Sequence, residues 1–419
     1  MHTREASALD LFVDSTRLMG DSTICGVLEF TTRLDPDRLG RAAHSCILAH
    51  PVLHSRLVRG SGPAHWLMED YGAATPVPVE ECGEDYRSRV AGPVDPYTPV
   101  QVRTRILRRP AGDVLVINLS HAAADASGIM AFMAQILNEY ETPNSIHPVN
   151  GGIPERDTLW TKELQGENAP TPATMEMIGP MWPDPLGRSD ARPMFHRDRI
   201  GARDLAGIDA RTKTLGGTIN DAILAAYFLA ISDITGSNGP LPLSFPVNLR
   251  RHITNGSRVM SNQAANVSIT VGRKNGEGMA ELLPRIIGET RRLKEGNIGV
   301  PEQARMDAAS DPEGRVVQEI VEKMAALEET GLADIFISNP GVLILPEVQG
   351  LSDAYVCYPG VRMPTTCFIT STFLGNMTVT LGYQDSKRPR EETKKALGLF
   401  CGYLRGFAEP EGTPAGNFQ

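Results

Sequence analysis

The chain has 419 residues, of which 41% are hydrophobic and 22% charged, and its formal net charge is -9 at pH 7. This length exceeds what one hydrophobic core usually serves, so we predict two domains. The negative charge argues against a nucleic-acid binder that works by neutralising phosphates. The longest apolar run, residues 222–231, is too short to cross a bilayer.

We therefore expect a cytoplasmic protein with no membrane span and no nucleic-acid partner, and the first residues lack the apolar core of a secretion signal. The six cysteines form neither a CxxC pair nor a set with zinc-ligand spacing, which is typical of a reduced protein without a metal site. The cysteines are Cys25, Cys46, Cys82, Cys357, Cys367 and Cys401.

The first predicted unit covers residues 1–150 and mixes strands with helices. A β-type apolar segment spans residues 24–32. Asp35 followed by Pro36 then predicts the start of a helix, because aspartate caps helix amino termini and proline is tolerated at the first helical position. That helix ends at His50, which precedes a proline.

Two further strands and a helix complete this unit. Val100–Arg108 and Asp113–Leu119 are predicted to form a hairpin that turns at Pro110–Gly112. The second of these strands leads to His121, and a helix is predicted after Gly128 because apolar residues follow at helical spacing. Those apolar residues are Ile129, Phe132, Met133, Ile136, Leu137 and Tyr140.

Residues 151–193 contain seven prolines and are predicted to be a linker between two domains. Residues 194–419 are the second predicted unit. Thr218 and Asp221 resemble a capping box at the start of a helix, and Leu241–Val247 resembles a strand whose two prolines favour an edge or irregular position. The remaining predicted elements are a helix at Glu281–Lys294, strands at Ile335–Ile337, Cys367–Phe373 and Met377–Tyr383, and a closing helix at Glu391–Leu404.

The residues most indicative of chemistry are His121 and Asp125, which lie between the predicted strand and the predicted helix. An imidazole at the end of a buried strand is a common way to present a general base to a cleft. The spacing alone equally fits a structural histidine held by hydrogen bonds, so both interpretations stay open at this point. The other eight histidines lie in polar or turn-like settings without zinc-ligand spacing.

Several segments, in the same order along the chain, resemble the condensation-domain-like, coenzyme-A-dependent acyltransferase superfamily. This group includes polyketide-associated acyltransferases, alcohol acetyltransferases and wax ester synthases. The segment from Ser120 to Asp125 resembles its HxxxD signature. The other similar segments are Leu34–Leu39 through His50–Leu53, Gly217–Asp221, Phe245–Arg250 with the following Asn262 and Asn266, and Ser338–Gly341.

The resemblance implies an α/β fold, an α+β sandwich of two chloramphenicol-acetyltransferase-like subdomains arranged as a V with a central tunnel. It implies that His121 is a general base for acyl transfer and that Asp125 pairs with Arg250 to hold the histidine loop. Donors to the oxyanion would come from Ser338 and Asn339, from residues 370–372, or from backbone amides near His121, and these alternatives stay open.

The resemblance also implies the reaction partners. The donor would be an acyl-CoA or acyl-carrier-protein thioester acting as co-substrate, and the acceptor a small alcohol or amine. No permanently bound cofactor and no metal are expected. The nucleophile belongs to the substrate, so the enzyme needs no serine or cysteine nucleophile of its own.

Two positions depart from the family pattern. Ser120 replaces the first histidine of the double-histidine form, and Ala126 replaces the glycine after the aspartate, where glycine would relax the turn. These departures leave an alternative open, namely a degenerate protein that binds an acyl ligand or partner without turnover. A hydrolase with a catalytic triad is disfavoured, because the chain has no Gly-x-Ser-x-Gly elbow.

Overall fold

The computed structural model describes residues 2–146, 191–252, 260–329, 335–360 and 366–408. This described part contains three β-sheets and nine α-helices. The predicted mixed α/β class is confirmed.

The predicted linker at 151–193 lies outside the described residues up to position 190. The strands are β1 (Thr3–Glu5), β2 (Thr23–Phe30), β3 (Ser55–Val58), β4 (His65–Met68), β5 (Val79–Glu81), β6 (Val102–Arg109), β7 (Gly112–Ser120), β8 (Pro193–Ile200), β9 (Leu241–Asn248), β10 (Ala264–Val271), β11 (Ile335–Val342), β12 (Leu351–Cys357), β13 (Thr366–Phe373) and β14 (Asn376–Gln384). The helices are α1 (Ala8–Ser15), α2 (Pro36–Ala49), α3 (Ala126–Glu141), α4 (Ala202–Thr214), α5 (Ile219–Thr235), α6 (Met279–Lys294), α7 (Val300–Ala309), α8 (Arg315–Glu329) and α9 (Lys387–Ala408).

The first large sheet has the strand order β12-β2-β7-β6-β5. β6 and β7 form the predicted antiparallel hairpin, with Val102 opposite Leu119 and Arg109 opposite Gly112. All nine residues of β7 are buried, because the strand lies in the middle of the sheet with helices packed against it. This places the end of β7, where the chain turns into the His121 loop, inside the molecule.

The second large sheet has the order β10-β9-β11-β13-β14-β8. β9 pairs antiparallel with β10 along its whole length but pairs with β11 only where Ser244 lies opposite Phe336. The strand is therefore not at the sheet edge, and its pairing with β11 is irregular, as the prolines Pro242 and Pro246 favour. A small third sheet, β1-β4-β3, lies near the amino terminus.

One strand crosses between the two parts of the chain. β12 comes from the segment after residue 194 but is the edge strand of the first sheet, where Cys357 lies opposite Cys25 of β2. The apolar core around α2 and α3 is completed by Val356 of β12 and Ile369 of β13. The two predicted domains thus share a sheet and a core.

Helix boundaries follow capping chemistry that is readable in the sequence. Asp35 accepts hydrogen bonds from the backbone of Asp37 and Arg38, and Pro36 is the first residue of α2, as predicted. The Asp221 carboxylate accepts the Thr218 N–H at the start of α5.

The interior of the second unit is built around α5. Its residues 221–232 are all buried, so α5 is a central helix enclosed on all sides. By length and composition, no single helix in the described residues can span a membrane. α4 and α5 are long and apolar enough only when the two helices are taken together, and they meet at a bend of 101°.

Candidate active site at the end of strand β7

His121 directly follows β7 and begins a short loop that ends at Asp125. The loop is held by backbone hydrogen bonds: the His121 N–H donates to the Ser22 carbonyl at 3.1 Å, and the Ala123 N–H donates to the Ser120 carbonyl at 3.0 Å. The buried strand and these bonds give the imidazole a defined position. Its ring stands edge-on to Tyr358, with the ring centroids 6.1 Å apart.

The Asp125 carboxylate faces the protein and makes no hydrogen bond to the imidazole. Its Oδ1 accepts the Gly128 N–H at 3.0 Å, so Asp125 is the amino-terminal cap of α3. Its Oδ2 accepts the Gln263 N–H at 2.8 Å and lies 2.7 Å from Arg250 Nη1. The carboxylate therefore ties the end of the histidine loop to the second half of the chain.

Arg250 follows β9 and is buried together with Asp125, each side chain being 7% exposed. Its Nη2 donates to the Ser261 carbonyl at 2.7 Å. Breaking a buried ion pair of this kind leaves an uncompensated charge and typically costs about 3–5 kcal/mol. The pair is thus a strong constraint on the loop between β7 and α3.

A second bridge to the histidine loop comes from Asn262, which the sequence analysis noted without a role. Its Nδ2 lies 2.8 Å from the carbonyl oxygens of both His121 and Ala122, and 3.1 Å from Asp10 Oδ1. Asp10 is itself 1% exposed and also accepts hydrogen bonds from Trp66 Nε1 and Arg4 Nη2. Asn262 and Asp10 thereby connect the loop to helix α1.

His121 lies on the wall of a cavity of about 300 Å³. Its apolar lining comes mainly from α1, α8, β12 and β13, and its polar lining carries amides and hydroxyls from β9, β10 and β11. The apolar lining includes Leu9, Phe12, Val13, Met19, Ile24, Met324, Val356 and Ile369, and the polar lining includes Ser244, Asn248, Asn266, Ser338 and Asn339.

Burial is the largest cause of the pKa shifts of two groups that line this cavity, His121 and Asp21. It lowers the pKa of His121 below the ordinary value of 6.5, and the smaller opposing contributions come from its own backbone carbonyl, Asp125, Asn262 and the backbone of Ala124. The imidazole is therefore neutral at pH 7, as a general base must be. Burial also raises the pKa of Asp21, which lines the cavity and accepts from Thr23.

The candidate oxyanion donors differ in where they lie. Ser338 and Asn339 line the cavity, whereas residues 370–372 do not. The N–H groups of His121 and Ala123 already donate to backbone carbonyls, so they are not free for a substrate oxyanion. Within the described residues Asn339 Nδ2 is shared with Asn220, at 3.4 Å, and the Ser338 hydroxyl makes no hydrogen bond.

The two departures from the family pattern have different consequences. Ala126 is the first residue of α3, directly after its cap, and does not have a positive φ angle. The helical backbone at this position therefore needs no glycine. Ser120 is the last residue of β7, and its buried hydroxyl makes no hydrogen bond within the described residues.

Sequence reasoning missed α1 and the supporting roles of Asp10, Asn262 and Gln263. A local signal for α1 exists: Ser7 and Asp10 form a capping box, in which Ser7 Oγ accepts from the Asp10 backbone and Asp10 Oδ2 accepts from the Ser7 backbone. Asn262 and Gln263 carry no such signal, because they meet the loop only through the tertiary fold.

No group of three or more metal-ligating side chains was found in the described residues.

No family model matches the sequence. An uncharacterized protein of Mycobacterium tuberculosis, Rv2305 in strain H37Rv and MT2362 in strain CDC 1551, is 25% identical over 289 residues. The alignment covers 63% of this chain and 65% of that protein, so the match spans a little less than two thirds of the relative's length.

Solved structures resemble the fold over nearly the whole chain. The TRI3 trichothecene 15-O-acetyltransferase of Fusarium sporotrichioides is 13% identical, with a TM-score of 0.73 and coverage of 97% of this chain and 95% of that chain. The first condensation domain of the calcium-dependent antibiotic synthetase is 14% identical, with a TM-score of 0.68 and coverage of 99% and 98%. Polyketide synthase associated protein 5 of M. tuberculosis is 16% identical, with a TM-score of 0.67 and coverage of 98% of both chains. The fold is that of condensation domains and related acyltransferases.

Proposed function

We propose that this chain, with its condensation-domain fold, is an acyltransferase. It moves an acyl group from a CoA or carrier-protein thioester to a hydroxyl or amine acceptor. The observation that carries the proposal is the position of His121: its imidazole has a lowered pKa and lies on the wall of a largely apolar cavity of about 300 Å³. Its loop is held by the buried pair of Asp125 and Arg250.

In the proposed reaction His121 acts as general base and then as general acid. The imidazole takes the proton of the acceptor hydroxyl or amine while the acceptor oxygen or nitrogen attacks the thioester carbonyl carbon. The carbon–sulfur bond of the tetrahedral intermediate then breaks, and the imidazolium returns the proton to the leaving thiolate. Ser338 is our candidate donor to the oxyanion, because it lines the cavity and its hydroxyl makes no hydrogen bond in the described residues.

Asp125 has a supporting role in this proposal. Both of its oxygens are occupied by the backbone of Gly128 and Gln263 and by Arg250, so it does not orient the imidazole directly. It fixes where the loop ends, and Arg250 neutralises its charge inside the protein.

The test measures thiol release and product formation together. The purified chain is incubated with acetyl-CoA, octanoyl-CoA or palmitoyl-CoA and with a panel of alcohols and primary amines. Free CoA is followed with a thiol reagent, and esters and amides are identified by mass spectrometry. We expect acceptor-dependent CoA release that is lost in His121→Ala but retained in His65→Ala, since His65 lies on β4 and does not line the cavity.

The alternative of a degenerate binding protein predicts a different result. Such a protein would bind an acyl-CoA or carrier protein in a titration but would release no CoA with any acceptor, and His121→Ala would not differ from the unaltered chain. Equal acyl transfer by the His121→Ala variant would contradict the proposed role of His121.

A further inference from the structure

Two buried polar atoms beside the histidine loop make no hydrogen bond within the described residues: His121 Nδ1 and Asn262 Oδ1. Unsatisfied atoms of this kind are uncommon in proteins and call for an explanation. Here the two atoms belong to residues that already touch, because Asn262 Nδ2 lies 2.8 Å from the His121 carbonyl oxygen.

The orientation of the Asn262 amide follows from its surroundings. Its nitrogen faces three acceptor oxygens, namely the carbonyls of His121 and Ala122 and the Asp10 carboxylate, at 2.8, 2.8 and 3.1 Å. Flipping the amide would place Oδ1 against all three oxygens and leave the nitrogen without these acceptors. The Asn262 carbonyl oxygen is therefore on the opposite side of the amide, available as an acceptor.

We propose that Asn262 Oδ1 accepts the proton on His121 Nδ1 and thereby selects the imidazole tautomer whose Nε2 lone pair faces the cavity. Asn262 is then a positioning residue: its nitrogen holds the loop carbonyls, and its oxygen sets the tautomer of the ring. Asp10 Oδ1 keeps the amide in the required orientation. This inference rests on the proposed role of His121 as a base, but the tautomer exists without substrate and can be measured alone.

The pKa of His121 is consistent with the proposed pairing. Burial lowers that pKa, and Asn262 is among the groups that raise it. The backbone carbonyl of His121 is a competing acceptor for the same proton, because it also acts on the pKa of the ring. The decisive question is whether the tautomer depends on Asn262 or on that carbonyl.

The ¹⁵N shifts of histidine ring nitrogens separate the two tautomers directly. We would label the chain with ¹⁵N-histidine, assign the His121 signals by their loss in His121→Gln, and record spectra at pH 8 without substrate. The expected result is protonated Nδ1 and unprotonated Nε2 in the unaltered chain. In Asn262→Ala we expect a shift toward protonated Nε2. Asn266→Ala is the matched control, since Asn266 also lines the cavity but makes no contact with the imidazole.

A second variant keeps the inference testable if Asn262→Ala does not fold. Asn262→Ser is smaller than asparagine and polar, and a thermal unfolding curve establishes whether each variant is folded. We expect either folded variant to lose the tautomer preference and to lower kcat by about 10–100-fold, with a smaller change in KM. Protonated Nε2 in the unaltered chain, or an unchanged tautomer in a folded Asn262 variant, would overturn the inference. If the tautomer changes as expected but no acyl transfer is found, the inference stands and the proposed function fails.

Discussion

Arg250 Nη1 lies 2.7 Å from Asp125 Oδ2, and this contact joins residues 125 positions apart in the chain. Asp125 ends the loop that begins with His121, and Arg250 follows a strand of the second sheet. The pair is buried, so its charges are weakly screened and the geometry of the histidine loop depends on both partners.

Replacing one partner of this pair is expected to destabilise the protein. Arg250→Ala leaves Asp125 buried without its counterion, and we expect the free energy of unfolding to fall by about 3–5 kcal/mol, measured by urea denaturation. Arg251→Ala is the control, because Arg251 is the exposed neighbour of Arg250. In a double-mutant cycle, the variant that carries both Arg250→Ala and Asp125→Asn should lose less unfolding free energy than the two single variants lose in sum. Additive costs would show that the two side chains do not interact.

The lowered pKa of His121 predicts the pH dependence of acyl transfer. Because burial favours the neutral imidazole, kcat/KM should decline on acidification with a midpoint below the ordinary histidine value of 6.5. The profile would be recorded from about pH 5 to about pH 9 with octanoyl-CoA. A decline with a midpoint above 6.5 would contradict this prediction.

The same shift has a consequence for stability. Well above pH 6.5 the imidazole is neutral in both the folded and the unfolded chain, so it contributes no pH dependence there. Below that value the unfolded chain binds a proton that the folded chain resists, so stability falls as pH falls toward the lowered pKa. His121→Gln should therefore lose less stability than the unaltered chain on acidification, measured by thermal unfolding at several pH values. An equal loss in both proteins would contradict the prediction.

Asp21 offers a stability test of opposite sign. Burial raises the pKa of its carboxyl above the ordinary value of 3.8, so ionisation at neutral pH is more costly in the folded than in the unfolded chain. Asp21→Asn keeps an acceptor for the Thr23 hydrogen bonds and removes that cost. We expect a higher melting temperature at pH 7 and no difference below pH 3.8. A lower melting temperature at pH 7 would show that the Asp21 charge is stabilising.

Phe12 of α1 belongs to the apolar lining of the cavity and predicts an effect on donor selection. Phe12→Ala enlarges this cavity, so relative kcat/KM should shift toward longer acyl chains by about tenfold, measured with acetyl-, octanoyl- and palmitoyl-CoA. Leu18→Ala is the control, since Leu18 is 45% exposed and does not line the cavity. An unchanged preference in Phe12→Ala would place the acyl chain elsewhere.

Local chemistry made much of this fold predictable from the sequence. The hairpin of β6 and β7, the cap of α2 at Asp35 and the buried face of α3 depend on residues near one another in the chain. Their signals are turn residues, caps and apolar periodicity, which act over a few positions. His121 at the end of a buried strand was a candidate for the same reason.

Two features of the fold, the sheet pairing of β12 and the full burial of α5, were decided only by the tertiary structure, because they depend on residues that are far apart in sequence. β12 carries two polar residues, Ser352 and Asp353, after its first position and joins the first sheet beside β2, a pairing that no local pattern encodes. α5 is apolar nearly all round, which hydrophobic periodicity cannot distinguish from one buried face. Whether its outer face meets solvent depends on the helices and strands packed around it.

The residues of the candidate site fall into the same two groups, those found from the sequence and those found only from the tertiary structure. The sequence by itself made His121 a candidate base, and the resemblance to the acyltransferase superfamily implied the pairing of Asp125 with Arg250. The tertiary structure placed Asn262 and Asp10 behind the histidine loop, because a hydrogen bond between residues 252 positions apart depends on how the whole chain folds. Short-range order is encoded by neighbouring residues, whereas the environment of a buried polar atom is set by every segment that packs around it.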